Sequence, residues 1–137
     1  MISRYTLPQM DRLWSDENRL AIMLEVELQV LAAQSRIGLV PKKAVTEIRR
    51  KAKVDLKRVQ QREAKTQHDV IAFIESLEER VRPHGRYLHF GLTSSDVLDT
   101  SLAVLLREAT DILLKDLRGL RAALASQARK HRRTLTV

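Results

Sequence analysis

The sequence predicts an all-α protein, in which a small N-terminal helical domain is followed by the first long helix of a multi-helix bundle. Apolar residues recur every three or four positions in most segments, as they do on the buried face of a helix. No segment alternates between apolar and polar residues, which is the pattern of a half-buried strand. From about residue 95 to residue 133 there is no proline, and Gly119 is the only glycine.

The first two predicted helices are marked by their caps. Residues 8–14 form a short first helix of one or two turns. Ser15 or Asp16 then caps a second helix, which ends before Gly38 and Pro41 in the Gly-then-Pro order expected after a helix. The apolar positions of this second helix are Leu20, Met23, Leu24, Leu28 and Leu31.

Three further helices occupy the middle of the chain. One is predicted from about residue 41 to 52, with proline in its tolerated first position. Asp55 caps the next, which runs to about residue 65. The third starts at His68 and Asp69, stops near residues 83–85, and carries the apolar residues Val70, Ile71, Phe73, Ile74 and Leu77.

The segment from 95 to 133 predicts one helix of roughly 55–60 Å, at 1.5 Å per residue. Its leucine stripe is too long for the rest of the chain to cover, so we expect neighbouring helices and no stable, complete monomer. We assign residues 1–93 to the N-terminal helical domain and residues 94–137 to the bundle. The stripe contains Leu98, Leu102, Leu105, Ala109, Leu113, Leu117, Leu120 and Leu124.

Composition narrows the class of protein. The chain has 137 residues, no cysteine and a formal net charge of +8. The charge suggests an anionic partner, but acidic residues are interleaved with the basic ones and aromatics are scarce, so we expect solvated helix faces and no nucleic-acid partner. The chain lacks an apolar run of membrane-spanning length and a signal-peptide start. We therefore expect a soluble cytoplasmic protein with no membrane partner.

The most informative segment is the polar stretch from His89 to Asp96, which leads into the long helix. Thr93 and Ser94 place hydroxyls where that helix begins, and Gly91 frees the backbone before them. Hydroxyls together with the unpaired N–H groups of a helix N-terminus can bind a carboxylate or phosphate. The same residues are also preferred as an ordinary N-cap, so both interpretations stay open here.

Two other polar pairs are candidates for ligand binding. His68 and Asp69 lie at a predicted helix N-terminus, where imidazole can hydrogen-bond an anionic ligand or carry a proton near neutral pH. Capping and packing explain the same pair equally well. Arg4 and Tyr5 combine a guanidinium with a phenol, which together can bind a phosphate. No histidine or carboxylate cluster has the spacing of a metal site, so no metal and no cofactor are predicted.

Taken together, three segments resemble those of the adenylosuccinate lyase family, within the fumarase/aspartase superfamily. They are Arg4-Tyr5, residues 65–70 with the sequence Lys-Thr-Gln-His-Asp-Val, and residues 89–100 around Thr-Ser-Ser-Asp. The resemblance extends over the whole chain and matches in order and spacing. It implies β-elimination of fumarate from adenylosuccinate to leave AMP, and from the succinyl-carboxamide ribotide of purine biosynthesis. It also implies a homotetramer in which three subunits build each active site.

The resemblance assigns roles to eight residues. Arg4 and Tyr5 would hold the nucleotide phosphate, with help from His89. Thr93 and Ser94 would bind the dicarboxylate end of the substrate.

The remaining three residues, Gln67, His68 and Asp69, would line the nucleotide. His68 would position it and assist proton transfer. Many relatives carry arginine at position 67, so Gln67 replaces a guanidinium contact.

The family's main acid, a histidine in a Gly-Arg-Thr-His-Gly-like segment, and its base, a loop serine, do not occur in these 137 residues. We therefore expect an N-terminal portion that binds substrate but is inactive alone. Two alternatives stay open: another lyase of the superfamily, acting on a different succinyl compound, and a non-catalytic helical interaction module.

Overall fold

The computed structural model describes residues 3–135 and confirms the all-α prediction. Within that range there are six α-helices, two short 3₁₀ turns and no strand. The 3₁₀ turns, at Ser3–Tyr5 and Gly85–Tyr87, were not predicted. The helices are α1 Pro8–Leu13, α2 Asp16–Arg36, α3 Lys42–Lys51, α4 Leu56–Thr66, α5 Asp69–Val81 and α6 Ser94–Lys130.

Side-chain caps mark the start of three helices, and two of them, Ser15 and Asp55, were predicted from the sequence. The Ser15 side chain accepts a hydrogen bond from the backbone N–H of Asn18 at 3.2 Å and caps α2. Asp55 caps α4 in the same way, through the N–H of Arg58 at 3.1 Å. His68 caps α5. These side chains satisfy N–H groups that have no partner within their own helix.

Residues 1–105 form one compact unit with a hydrophobic core. Phe73 and Leu77 of α5 are fully buried at its centre, and Val97 and Leu105 bring the first turns of α6 into the buried set. Burying such side chains is the main favourable term in folding. From α2 the core takes Leu20, Met23, Leu28 and Leu31, as the helical spacing predicts, together with one charged residue, Glu27.

Helices α4 and α5 are joined by ion pairs between their facing sides. Nη2 of Arg58 lies 2.8 Å from Oε1 of Glu79, and Nη2 of Arg80 lies 2.8 Å from Oδ2 of Asp55. Asp55 therefore caps α4 with one oxygen and binds α5 with the other. These contacts join the start of α4 to the end of α5.

Residues 106–137 form a second unit. In the part that the structure describes, most leucines of α6 are exposed: Leu106, Leu113, Leu114, Leu117, Leu120 and Leu124. Apart from Ala109, which is buried, the predicted leucine stripe is thus uncovered in this unit. Helix α6 ends at Lys130, three residues before the predicted end at 133, and a turn follows. The domain boundary between residues 93 and 94 stays a prediction.

Candidate functional site

The loop before α6 is anchored to α2 through His89. Both the backbone N–H and the ring Nδ1 of His89 contact the carboxylate of Glu27, at 2.8 Å to Oε2 and 2.7 Å to Oε1. Glu27 is 1% exposed, and the side chain of His89 is 15% exposed. His89 also has a φ of +57°, a left-handed conformation that is uncommon outside glycine. The pair of contacts to Glu27 holds the residue in that conformation.

A second contact from α2 fixes the tip of the loop. Nε2 of Gln34 donates a hydrogen bond to the backbone carbonyl of Phe90 at 2.7 Å. Gly91 follows with a φ of +72°, which is why glycine is needed there. The backbone from His89 to Leu92 is closed by a hydrogen bond from the Leu92 N–H to the His89 carbonyl at 3.2 Å. The loop thus has a defined shape ahead of α6.

Thr93 and Ser94 lie at the start of α6, as the sequence predicts. Asp96 turns back, and its Oδ2 accepts a hydrogen bond from the N–H of Thr93 at 2.8 Å. The Asp96 N–H donates to the Thr93 carbonyl at 3.1 Å. Thr93 is exposed and Ser94 is half-buried. The Asp96 carboxylate accepts the Thr93 N–H, and the hydroxyls of Thr93 and Ser94 remain as groups that can bind an anion at this helix N-terminus.

The segment 67–69 connects α4 to α5. Gln67 has a φ of +52°, ends α4, and donates its side-chain amide to the carbonyl of Ala64 at 3.1 Å. Nδ1 of His68 accepts a hydrogen bond from the N–H of Ile71 at 3.4 Å. That contact uses the lone pair of Nδ1 and leaves Nε2 as the ring nitrogen without a hydrogen bond among the described residues. Nδ1 of His68 also lies 3.7 Å from Oδ1 of Asp69.

Asp69 receives contacts from two sides. Its Oδ1 accepts from the N–H of Val70 at 2.7 Å, and its Oδ2 lies 4.0 Å from Nη1 of Arg19 on α2. Both partners of the latter pair are partly exposed, so the pair contributes little to stability. It does place a guanidinium beside the His68–Asp69 segment.

Arg4 and Tyr5 lie in the first 3₁₀ turn, and both are exposed. The guanidinium carbon of Arg4 lies 4.8 Å from the centre of the Tyr5 ring, which is a cation–π contact. The two side chains therefore stay together at the surface, where a phosphate can reach them.

Helix α2 contacts both the loop at His89 and the segment 67–69, but among the described residues these two parts of the candidate site are not joined to each other directly. Glu27 and Gln34 hold the loop at His89, and Arg19 approaches Asp69. No hydrogen bond or ion pair connects residues 67–69 with residues 89–94 in the part of the chain that the structure describes, and none connects either with Arg4 or Tyr5. None of the three α2 residues Arg19, Glu27 and Gln34 was predicted from the sequence to support the site. Glu27 carried a signal, because a glutamate occupies a position that the spacing of Met23 and Leu31 marks as buried.

A cavity of about 250 Å³ lies beside this region. Trp14, Met23, Leu98 and Leu102 line it with apolar surface, and Arg19 borders it. Its lining is mostly apolar but also contains Ser101, whose buried Oγ has no hydrogen-bond partner among the described residues. Within residues 3–135, no group of three or more histidine or carboxylate side chains could hold a metal ion. No described helix is both long and apolar enough to cross a membrane.

Comparison with known proteins assigns the family. A family model described as lyase matches residues 4–137. The chain belongs to this lyase family. Two curated members are similar over nearly its whole length. The adenylosuccinate lyase of Synechocystis sp. is 49% identical over 137 residues, and that of Bacillus subtilis is 41% identical over 135 residues. The lyase chain spans about a third of the length of these relatives, 32% and 31%.

Solved structures of the lyase fold agree with this assignment. A fumarate lyase from Mesorhizobium sp. superposes with a TM-score of 0.83 at 27% identity, covering 90% of this chain and 30% of that chain. A 3-carboxy-cis,cis-muconate lactonizing enzyme from Pseudomonas putida gives a TM-score of 0.83 at 33% identity, covering 93% and 31%. The all-α lyase architecture therefore recurs in enzymes with different names.

Proposed function

We propose that this chain supplies substrate-binding residues of an adenylosuccinate lyase. The observation that carries the proposal is the 49% identity to an adenylosuccinate lyase across all 137 residues, including segments in which the structure exposes hydroxyl, imidazole and guanidinium groups. The reaction is a β-elimination that converts adenylosuccinate to AMP and fumarate, and the analogous succinyl-carboxamide ribotide to its product in purine biosynthesis. We also propose a cytoplasmic location, which the cysteine-free composition permits.

The reaction determines what a binding site must do. A base removes a proton beside a carboxylate, the electron pair forms a carbon–carbon double bond, the C–N bond breaks, and the leaving nitrogen takes up a proton. Charge builds up on the carboxylate next to the abstracted proton, so donors placed there lower the barrier. In our proposal Thr93 and Ser94 are those donors, at the positive end of the α6 dipole.

The other end of the substrate is a nucleotide monophosphate. Arg4 and Tyr5 are proposed to bind its phosphate, as the paired guanidinium and phenol favour, and His89 contributes from the phosphate side. Gln67, His68 and Asp69 are proposed to line the nucleotide. Because Nδ1 of His68 is used by the helix cap, Nε2 is the ring nitrogen that can hydrogen-bond the substrate and assist proton transfer.

The exposed leucines of α6 support the proposed assembly. A soluble protein rarely leaves a contiguous apolar helix face uncovered. We propose that residues 94–137 enter a helical bundle of a homotetramer and that residues 1–93 form the preceding domain. The main acid and base then come from other parts of the assembly, which agrees with the absence of a paired acid and base among the proposed residues.

A second lyase activity is favoured by one observation. The structural similarity to the Mesorhizobium sp. fumarate lyase, with a TM-score of 0.83, fits elimination of fumarate from a succinyl compound without a nucleotide. The two activities differ in the residues that they require. A substrate without phosphate and purine does not need Arg4, Tyr5 and residues 67–69.

A chimera tests the proposal without requiring the chain to act alone. Residues 1–137 replace the matching 32% of the Synechocystis sp. adenylosuccinate lyase, and fumarate release is measured with adenylosuccinate and with argininosuccinate. Activity on adenylosuccinate alone supports the proposal. A chimera that assembles and melts like the parent enzyme, yet releases no fumarate from adenylosuccinate, contradicts it.

A further inference from the structure

A charged residue occupies a core position of α2. Glu27 lies four residues after Met23 and four before Leu31, on the side of the helix that faces the hydrophobic core, and it is 1% exposed. A buried carboxylate is costly unless it is paired and hydrogen-bonded. An apolar side chain at this position would avoid that cost, so the contacts that Glu27 makes have to account for its presence.

Both oxygens of Glu27 are used by one residue. Oε2 accepts the backbone N–H of His89 at 2.8 Å, and Oε1 lies 2.7 Å from Nδ1 of the same residue. When Glu27 is ionised its carboxylate can only accept, and this contact then requires the hydrogen on Nδ1. The backbone contact fixes where the residue lies, and the ring contact fixes how its imidazole is rotated. Nε2, on the far side of the ring, has no hydrogen bond to any residue between 3 and 135.

We propose that Glu27 is a positioning residue: it keeps a proton on Nδ1 of His89 and orients Nε2 to bind the phosphate of the nucleotide. The inference rests on the proposed function for the identity of the ligand. When a phosphate oxygen accepts from Nε2, both ring nitrogens face acceptors, so each must carry its own hydrogen. His89 is then an imidazolium between two anions, with Glu27 balancing its charge.

Replacing Glu27 with glutamine tests the role of the carboxylate, because the amide reverses the hydrogen bond to the ring. The backbone N–H of His89 needs an acceptor, so the glutamine oxygen must face it. The amide NH₂ then faces Nδ1 and can only donate. Glu27→Gln therefore moves the proton from Nδ1 to Nε2 and leaves His89 neutral, with almost no change in side-chain shape.

The experiment measures ¹⁵N shifts of the imidazole nitrogens in the 137-residue chain labelled at histidine. Loss of one set of signals in His89→Asn identifies His89, since asparagine tolerates the left-handed backbone. We expect a protonated Nδ1 in the unsubstituted chain and an unprotonated Nδ1 in Glu27→Gln. Glu25→Gln, at an exposed position of the same helix, is the control and leaves His89 unchanged.

The unsubstituted chain alone can overturn the proposal, even if Glu27→Gln does not fold: an unprotonated Nδ1 would mean that Glu27 donates to the ring. Adding AMP tests the second half. We expect protonation of both nitrogens in the unsubstituted chain and an AMP Kd about tenfold higher in Glu27→Gln, as expected when a charged hydrogen bond becomes neutral. A protonated Nδ1 with no response of His89 to AMP would contradict the proposed nucleotide site and not the action of Glu27 on the ring.

Discussion

Nδ1 of His89 lies 2.7 Å from Oε1 of Glu27, and this contact joins the loop before α6 to the core face of α2. Removing one partner of such a buried pair leaves the other without compensation. We expect Glu27→Ala to lower the free energy of unfolding by about 3–5 kcal/mol, measured by urea denaturation of the chain. Glu25→Ala, at an exposed position of α2, should change it by less than about 0.5 kcal/mol. Equal effects of the two substitutions would show that the pair does not stabilise the fold.

His68 combines a structural role with its proposed binding role, and two substitutions separate them. His68→Ala removes the α5 cap and should cost about 1 kcal/mol of stability. His68→Asn keeps a good cap but removes the imidazole. We therefore expect the His68→Asn chimera to keep the melting temperature of the unsubstituted chimera and to lose fumarate release. Full activity in His68→Asn would mean that His68 only caps the helix.

Two glycines should respond to alanine with opposite signs. Gly91 has a φ of +72°, so Gly91→Ala adds a side chain in a left-handed conformation and should destabilise the chain by about 1–2 kcal/mol. Gly119 lies within α6, and nothing lies within 4 Å of a Cβ added there. Gly119→Ala should stabilise the helix by about 0.5–1 kcal/mol. Thermal melts of both variants test this, and a stabilising Gly91→Ala would contradict the loop conformation.

The stability of α3 should depend on pH through Glu47. Hydrogen bonds from Arg50 at 2.8 Å and from Lys51 at 3.1 Å lower the pKa of Glu47 from 4.5 to about 2. A lowered pKa means that the contribution is fully present above pH 4.5 and is lost as the pH falls towards 2. The stability difference between the unsubstituted chain and Glu47→Gln should therefore shrink across this interval. A stability difference that stays constant from about pH 6 to about pH 2 would contradict the lowered pKa of Glu47. Glu63→Gln, on the exposed side of α4, serves as control.

Much of the fold could be predicted because local chemistry determines it. Ser15 and Asp55 cap the helices they were expected to cap, and the spacing of Leu20 to Leu31 identified the buried side of α2. The Glu27–His89 contact could not be predicted in this way. It joins residues 62 apart in sequence, and helical periodicity distinguishes apolar from polar positions without showing which polar residue finds a buried partner.

The candidate site was harder to predict than the helices for the same reason. Thr93 and Ser94 were recognised because a helix N-terminus is a local feature. The support from Gln34 and Arg19 depends on how α2 packs against the loop and α5, which single-sequence patterns do not contain. The family resemblance grouped the three motifs, and the structure shows that α2 contacts two of them, the loop at His89 and the segment at Asp69.

The most direct test of the central claim is kcat/KM for adenylosuccinate in the chimera with Thr93→Ala and Ser94→Ala combined, compared with Ser95→Ala. Ser95 is the exposed neighbour in the same turn, so it controls for loss of a hydroxyl at the helix start. Each lost hydrogen bond to a carboxylate should cost about 1.5–3 kcal/mol, so the double variant should fall by about 100-fold or more while Ser95→Ala stays within about twofold. Equal kcat/KM values for the two folded variants would contradict the proposal that this loop binds the substrate.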